Sequence, residues 1–147
     1  MSYRLYVIIR SDLESMTPGK AAAQVAHAAS QAAWNLKGDT HYSSWANEPS
    51  NEFGEEPHYE GFGTTIVLDG GSFVDTFDLG GYSAIKDAPT YPIAHGVIKD
   101  PTYPLRDGKK THLIDLVTCW WVLTNNDTHP KLAEWLRQFN LYDGNHD

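Results

Sequence analysis

The sequence predicts an α/β protein: a compact four-stranded mixed sheet with helices on both faces, in the order β-α-β-α-β-β-α. Three observations favour this class. Residues 3–10 are apolar on both faces of a strand, as in a central parallel strand. An alanine-rich run with helical periodicity follows it. Two later apolar runs, at 93–99 and 113–124, are separated by a loop short enough for an antiparallel hairpin.

The first helix has clear signals at both ends. Thr17 or Pro18 begins it, because a hydroxyl N-cap and a proline in the first turn both suit a helix start. It runs to about residues 34–36, and Gly38 ends it as a C-terminal glycine does. Alanines occupy most of its faces, so the helix can pack very close to a sheet.

The remaining elements are shorter. Residues 64–69 are predicted to form the second strand, residues 73–79 a short helix and residues 80–92 an irregular stretch. A C-terminal helix is predicted at about 129–140, where leucine, tryptophan and phenylalanine recur at helical spacing and Thr128 can cap the start. All of these elements are expected to form one domain.

Residues 38–61 carry six acidic side chains and no lysine or arginine. The segment is also rich in Gly, Pro, Asn and Ser, which predicts a long acidic loop or insertion. Its aromatic residues make 38–62 the expected contact surface if the chain binds another protein.

Composition argues against several classes of function. The net charge of −8 is unlike that of a typical nucleic-acid-binding protein, although Arg106, Lys109 and Lys110 supply a local basic rim. The single Cys119 excludes an internal disulfide and a Cys-based zinc site, and its apolar surroundings indicate a buried thiol. Without an apolar run long enough to cross a bilayer, the chain is expected to be cytoplasmic and not bound to a membrane.

A polar stripe on the first helix is the most informative local feature. Lys20, Gln24, His27 and Gln31 recur at i, i+4, i+7 and i+11, which places them on one helical face. Such a stripe is usually a solvated face. A lysine and a histidine near the carboxyl end of a strand also fit the place where open α/β sheets keep their chemistry.

The run from Arg10 to Ala28 resembles the signature of the type-2 peptidyl-tRNA hydrolase family. That signature has an Arg, then Asp-Leu, a Met, Gly-Lys, Ala-Ala-Gln and His-Ala. The chain fills these positions with Arg10, Asp12, Leu13, Met16, Gly19, Lys20, Ala22, Ala23, Gln24, His27 and Ala28. The resemblance is strong over 4–35 and recognisable over 93–124. It implies a compact α/β sandwich that hydrolyses the ester between peptide and tRNA, with peptidyl-tRNA as its partner.

The resemblance also implies a set of site residues. The family's functional residues include the lysine of Gly-Lys and an Asp, followed closely by a Thr, at the end of the third strand. Lys20 and Asp100 match the first two as catalytic residues. Thr102 is the expected third, although Pro101 intervenes and the spacing is shorter than in the family, so Thr111 stays as the alternative. The residues expected to bind substrate are Gln24, His27, Arg106, Lys109 and Lys110.

The implied reaction needs no cofactor. An ester is an activated acyl group, so a positioned water can attack it, given a base or orienter and a positive charge for the developing oxyanion. The chain has no serine nucleophile motif, and its seven histidines show no metal-ligand spacing. The sequence therefore predicts attack by water without a metal.

Other interpretations stay open on the sequence alone. Without the resemblance, Asp100-Pro101 fits an ordinary turn and His27 a helix-packing histidine. A non-catalytic tRNA- or protein-binding module is compatible with the same fold, and so is a hydrolase of another ester or amide. The sequence also leaves a homodimer open. The intact stripe of Lys20, Gln24 and His27 favours the hydrolase of peptidyl-tRNA.

Overall fold

A computed structural model describes residues 2–54, 57–72, 93–107 and 109–144. The strands are β1 (Tyr3–Arg10), β2 (Thr65–Gly71), β3 (Ala94–Asp107) and β4 (Lys110–Asn125). The helices are α1 (Pro18–Asn35), α2 (Thr40–Phe53) and α3 (Pro130–Leu136), with a 3-10 turn at Pro57–Tyr59. Within these ranges, no helix has both the length and the apolar character needed to cross a bilayer.

The predicted mixed α/β sheet is confirmed. The strand order is β2-β1-β4-β3, with β1 parallel to β2 and antiparallel to β4. β3 and β4 form the expected antiparallel hairpin. The first strand is central and buried, as its continuous apolar run predicts.

The sequence predicted four strands, but a fifth, short segment pairs with β2 at the edge of the sheet. Leu141 forms an antiparallel bridge with Leu68. The flanking backbone is paired as well, because the Asp69 N–H donates to Asn140 O at 2.8 Å and the Tyr142 N–H to Val67 O at 3.0 Å. The sheet therefore has a fifth segment, which the short, polar C-terminal sequence gave no sign of.

The prediction of a long loop after the first helix is also wrong. Residues 40–53 form α2, which Asp39 caps by accepting a hydrogen bond from the Tyr42 N–H at 3.0 Å. Trp45, Ala46 and Ser50 form its buried face. Tertiary packing of that face outweighs the poor helix propensity of a segment rich in Asn and Ser, with Pro49 inside it.

Two other predictions have different outcomes. The C-terminal helix is present but ends at Leu136, and its N-cap is His129, whose side chain makes no capping bond. Thr128 was expected to cap the helix. Its hydroxyl instead forms a 2.8 Å hydrogen bond with the His129 ring and does not act as the cap. The predicted short helix at 73–79 and the irregular stretch at 80–92 lie outside the described residues.

Each face of the sheet has its own apolar core, which confirms helices on both faces. Along β4, Cys119 and Trp121 pack on the face covered by α1 and α2, whereas Trp120 and Val122 pack against α3. This alternation is the period of two expected of a strand.

The C-terminal half of α1 lies very close to β3. A Cβ added to Gly96 would be 2.5 Å from Trp121 Nε1 and 2.8 Å from Gln31 Oε1. These two atoms are themselves joined by a 2.8 Å hydrogen bond. Only glycine fits at this crossing, and the crossing fixes how the helix stripe faces the sheet.

Candidate active site

The candidate site lies where β1 ends and α1 begins. β1 pairs with β4 only as far as Ile9 and Cys119. Beyond that point β3 and β4 continue as a two-stranded ribbon, which we define as residues 99–107 and 110–118. The base of the ribbon contacts the first turns of α1, so the polar stripe meets two strands at the edge of the sheet.

A bulge in β4 turns Thr118 toward α1. The register steps from Ile98–Cys119 to Lys99–Val117, which leaves Thr118 without an opposite residue. Strict alternation would point neighbouring residues to opposite faces, and the bulge removes that constraint. The fully buried Thr118 hydroxyl therefore reaches α1, where it donates a 2.6 Å hydrogen bond to Gln24 Oε1.

A second bulge, in β3, follows Asp100. The register shifts between Asp100 and Tyr103, so Pro101 and Thr102 lie opposite a single residue of β4. A proline cannot donate to the ladder, which suits a bulge. The freed Thr102 N–H donates to Asp100 Oδ1 at 2.9 Å, and the Thr102 hydroxyl lies 3.4 Å from the same oxygen. The sequence predicted that the strand ends here in a turn, but it continues to Asp107.

Gln24 connects the two bulges. Its side chain is only 3% exposed, and its Nε2 donates to Asp100 Oδ2 at 2.8 Å while its Oε1 accepts from Thr118. Both ends of the amide have partners, so its orientation is fixed. The centre of the stripe on α1 is therefore a buried polar contact with the ribbon and not a solvated face.

These contacts hold Asp100 as a carboxylate. Burial of its side chain, which is 11% exposed, is the largest single influence and favours the neutral acid. Hydrogen bonds from Gln24 and Thr102, with the charge of a protonated His27, outweigh burial and hold the pKa of Asp100 below its usual value. His27 Nε2 lies 3.7 Å from Asp100 Oδ2, and its half-exposed ring marks the open side of the site.

Lys20 contacts the ribbon four residues further along β3 than Asp100. Its Nζ donates a 2.8 Å hydrogen bond to the carbonyl of Pro104 and lies 5.4 Å from the centroid of the Tyr103 ring. No ion pair joins Lys20 to Asp100, whose carboxylate is held by Gln24, Thr102 and His27. An ammonium has three donors, of which the Pro104 carbonyl takes one. Lys20 thus presents its charge and further donors at the ribbon base.

An open pocket of about 430 Å³ lies beside Asp100. Its walls come from α1 and from the bulge of β3, and include His27, Ser30, Gln31, Lys99, Asp100 and Thr102. The volume is in the range of small-molecule sites. The carboxylate of Asp100 and the hydroxyl of Thr102, which lie 3.4 Å apart, both line this pocket.

The signature residues Arg10 and Asp12 stabilise the loop that precedes α1. The Arg10 guanidinium donates two 2.8 Å hydrogen bonds to the Asp12 carboxylate and a third, of 3.2 Å, to the Val117 carbonyl. These bonds from Arg10 hold the pKa of Asp12 below its usual value, against the opposing effect of burial. The bond from Arg10 to the Val117 carbonyl thus joins the loop to the base of the ribbon.

The structure separates the two candidate threonines. Thr102 lies directly beside the Asp100 carboxylate. Thr111 pairs with Arg106 near the ribbon tip, whereas Asp100 pairs with Leu116. Thr111 is therefore about 17 Å away along β4, at about 3.3 Å per residue. Of the two, only Thr102 is placed to act with Asp100.

The predicted substrate-binding residues fall into two groups. Gln24 and His27 contact Asp100. Lys109 and Lys110 are exposed at the far end of the ribbon, where Arg106 is also placed by its backbone pairing. The structure therefore brings the helix residues to the site and leaves the basic rim at a distance from it.

The acidic helix α2 approaches the opposite end of β1. Glu48 accepts hydrogen bonds of 3.0 Å from the N–H groups of Ser2 and Tyr3. From there to Arg10, β1 extends over roughly 25 Å. Glu48 therefore stabilises the start of the sheet and is remote from Asp100.

Sequence analysis missed three contacts of the site. Thr118 lies within an apolar strand, and its hydroxyl group is the only sign in the sequence that it could contact the site. Tyr103 and the Pro104 carbonyl lie beyond the predicted end of the third strand at residue 99, although Tyr103 is fully buried, with its hydroxyl 3.1 Å from Ser15 Oγ. All three depend on the register of the ribbon, which local sequence does not show.

Cys119 is confirmed as a buried thiol. Burial raises its pKa to about 12, so the thiol is neutral near physiological pH and is not a nucleophile there. Within the described ranges, no group of three or more His, Cys, Asp or Glu side chains is arranged to hold a metal ion.

Replacing Thr118 with valine is expected to lower the free energy of unfolding by about 1–3 kcal/mol, because the buried Gln24 Oε1 loses its donor. Thr124→Val is the matched control: Thr124 is an equally buried threonine of β4 whose hydroxyl has no hydrogen-bond partner among the described residues. Removing the Thr124 hydroxyl is expected to leave the free energy of unfolding unchanged or to raise it. Urea titration of both variants measures the difference, and equal effects would show that the Thr118–Gln24 bond contributes nothing.

The fold and the site define an α/β domain in which a polar helix stripe meets a held carboxylate at one edge of a mixed sheet. The family model described as peptidyl-tRNA hydrolase PTH2 matches residues 3–53, just over a third of the chain. The match takes in β1, α1 and α2, and it confirms the resemblance to the type-2 peptidyl-tRNA hydrolase family. No curated protein matches the chain significantly.

Proposed function

We propose that this protein is a peptidyl-tRNA hydrolase that acts in the cytoplasm and returns tRNA to translation. One observation carries the proposal: Gln24, on the helix that matches the family, hydrogen-bonds Asp100, which lies in the part of the chain outside the match. The matched helix and the unmatched ribbon thus form one polar site. Lys20 reaches the same ribbon through the Pro104 carbonyl.

The proposed roles follow from charge and position. Asp100 orients the attacking water, because a carboxylate with a lowered pKa is ionised but is a weak base. Lys20 stabilises the oxyanion with its positive charge. Gln24 and Thr102 position Asp100, and His27 contacts the substrate at the exposed side of the pocket.

The proposed reaction is ordinary ester hydrolysis. The water oxygen bonds to the ester carbonyl carbon, and the bond from that carbon to the ribose oxygen then breaks. One proton of the water is transferred to the ribose oxygen, which leaves as a neutral hydroxyl group. The products are the peptide with a free carboxyl group and the tRNA with a free terminal hydroxyl.

The direct test is release of tRNA and N-acetyl-amino acid from an N-acetyl-aminoacyl-tRNA by the purified chain. We expect multiple turnovers without added metal or cofactor. The matched control is the same tRNA carrying the amino acid through an amide, which resists hydrolysis. Binding of tRNA without release would favour the non-catalytic module, and cleavage of simple esters alone would favour a hydrolase of another substrate.

A further inference from the structure

Basic residues are concentrated at the tip of the ribbon. Arg106, Lys109 and Lys110 lie within five consecutive residues of a chain whose net charge is −8, with Asp107 as the only acid among them. Backbone pairing of Arg106 with Thr111 and of Asp107 with Lys110 forms this tip. The side chains of Lys109 and Lys110 are exposed. The strongest local excess of positive charge is thus carried by a projecting element.

The ribbon separates this charge from the acidic body and from the catalytic groups. The tip lies three residues beyond Pro104, which Lys20 contacts, and seven beyond Asp100. At about 3.3 Å per residue, these distances are roughly 10 Å and roughly 23 Å along the strand. Both distances exceed the Debye length of about 8 Å at physiological ionic strength, so the charges of Lys20 and Asp100 are largely screened from the tip.

We infer that the ribbon tip binds phosphate groups of the RNA substrate at a distance from the ester, and so distinguishes a whole tRNA from a short ester. This inference rests on the proposed function, since it assigns a second contact to the same substrate. Lysine ammonium groups bind phosphate as point charges, without base specificity. A phosphate near the tip is beyond the terminal nucleoside of a substrate whose ester lies at Lys20 and Asp100.

The experiment compares two substrates that differ only in RNA length. One is N-acetyl-aminoacyl-tRNA, and the other is the same N-acetyl-aminoacyl ester on adenosine alone, which carries no phosphate. For Lys109→Ala/Lys110→Ala, kcat/KM for the tRNA is expected to fall roughly threefold to tenfold relative to kcat/KM for the adenosine ester. The loss should lie in KM and not in kcat, because the tip is far from the reacting bond.

Lys37→Ala/Lys131→Ala is the matched control. It removes the same net charge from two exposed lysines, one at the end of α1 and one on α3, neither of which lies on the ribbon. We expect the ratio of the two specificity constants to match that of the wild type. An equal loss on both substrates in the ribbon variant, or the same change in the control variant, would overturn the inference.

Binding separates this inference from the proposed function. Fluorescence anisotropy with labelled tRNA gives the slope of log Kd against log salt for each variant. The ribbon variant is expected to reduce the magnitude of that slope by about 2, since each phosphate contact contributes about 0.9. If the wild type binds tRNA but hydrolyses neither substrate, the proposed function fails, while this slope change still supports the ribbon contact. An unchanged slope overturns the contact, whether or not the chain is an enzyme, and an acidic protein partner for the tip is then the alternative.

Discussion

Replacing Lys20 with alanine is expected to lower kcat for hydrolysis of N-acetyl-aminoacyl-tRNA by about 10²–10³-fold, the usual cost of removing one contact to a developing oxyanion. The physical reason is the loss of the positive charge at the base of the ribbon. The fold should persist, because the partly exposed Lys20 side chain donates one hydrogen bond, to the Pro104 carbonyl. Loss of such a bond costs about 1 kcal/mol.

Two further variants make the Lys20 experiment specific. Lys20→Met keeps an unbranched apolar side chain and removes the ammonium that lies over the Tyr103 ring, so its rate should be as low as that of Lys20→Ala. Lys37→Ala removes a lysine that lies over the Trp34 ring and outside the site, and its rate should equal that of the wild type. Single-turnover rates at saturating protein measure the effect. A Lys20→Met enzyme with normal turnover would remove Lys20 from the chemistry.

Replacing Asp100 with asparagine is expected to reduce kcat by about 10²-fold with little change in tRNA binding, the cost typical of a misplaced reacting group. The change removes the charge that orients water. It also conflicts with the site, because the asparagine NH₂ would face either Gln24 Nε2 or the Thr102 N–H, both of which are donors. Gln24 could reverse only by giving up the hydrogen bond that it accepts from Thr118.

The pH dependence of the rate tests the same residue. The folded pKa of Asp100 lies below its unfolded value of about 3.9, so its ionised form, and the stability it contributes, is fully present above that pH. Both are lost only as the pH falls through the lower, folded pKa. No decline in kcat due to Asp100 is therefore expected when the pH of the assay is lowered from 8 to about 5. The control for Asp100→Asn is Asp115→Asn, which changes an exposed carboxylate that pairs with Lys99. The kcat of this control variant should equal that of the wild type. Normal kcat for Asp100→Asn would exclude the carboxylate as the orienter.

The site combines residues that are far apart in the sequence. Gln24, inside the family match, hydrogen-bonds Asp100, which lies outside it. Thr118, on the next strand, hydrogen-bonds the other end of the Gln24 amide. The helix stripe could be predicted because its spacing is local, at i, i+4 and i+7. Its burial could not, because burial depends on the strand that covers it.

The sequence by itself determined the mixed sheet, the first β-α unit with its Thr17 cap, and the buried Cys119, because apolar periodicity and capping are local properties. Tertiary structure decided the rest. Packing against the sheet made a helix of 40–53, which composition alone suggested was a loop. Two bulges, one on each strand of the ribbon, decided which side chains meet Gln24, since a shift of one residue changes the face to which a side chain points. Pairing between strands that are distant in sequence sets that register, and for this reason Thr118 and the Pro104 carbonyl became visible as parts of the site only in the folded chain.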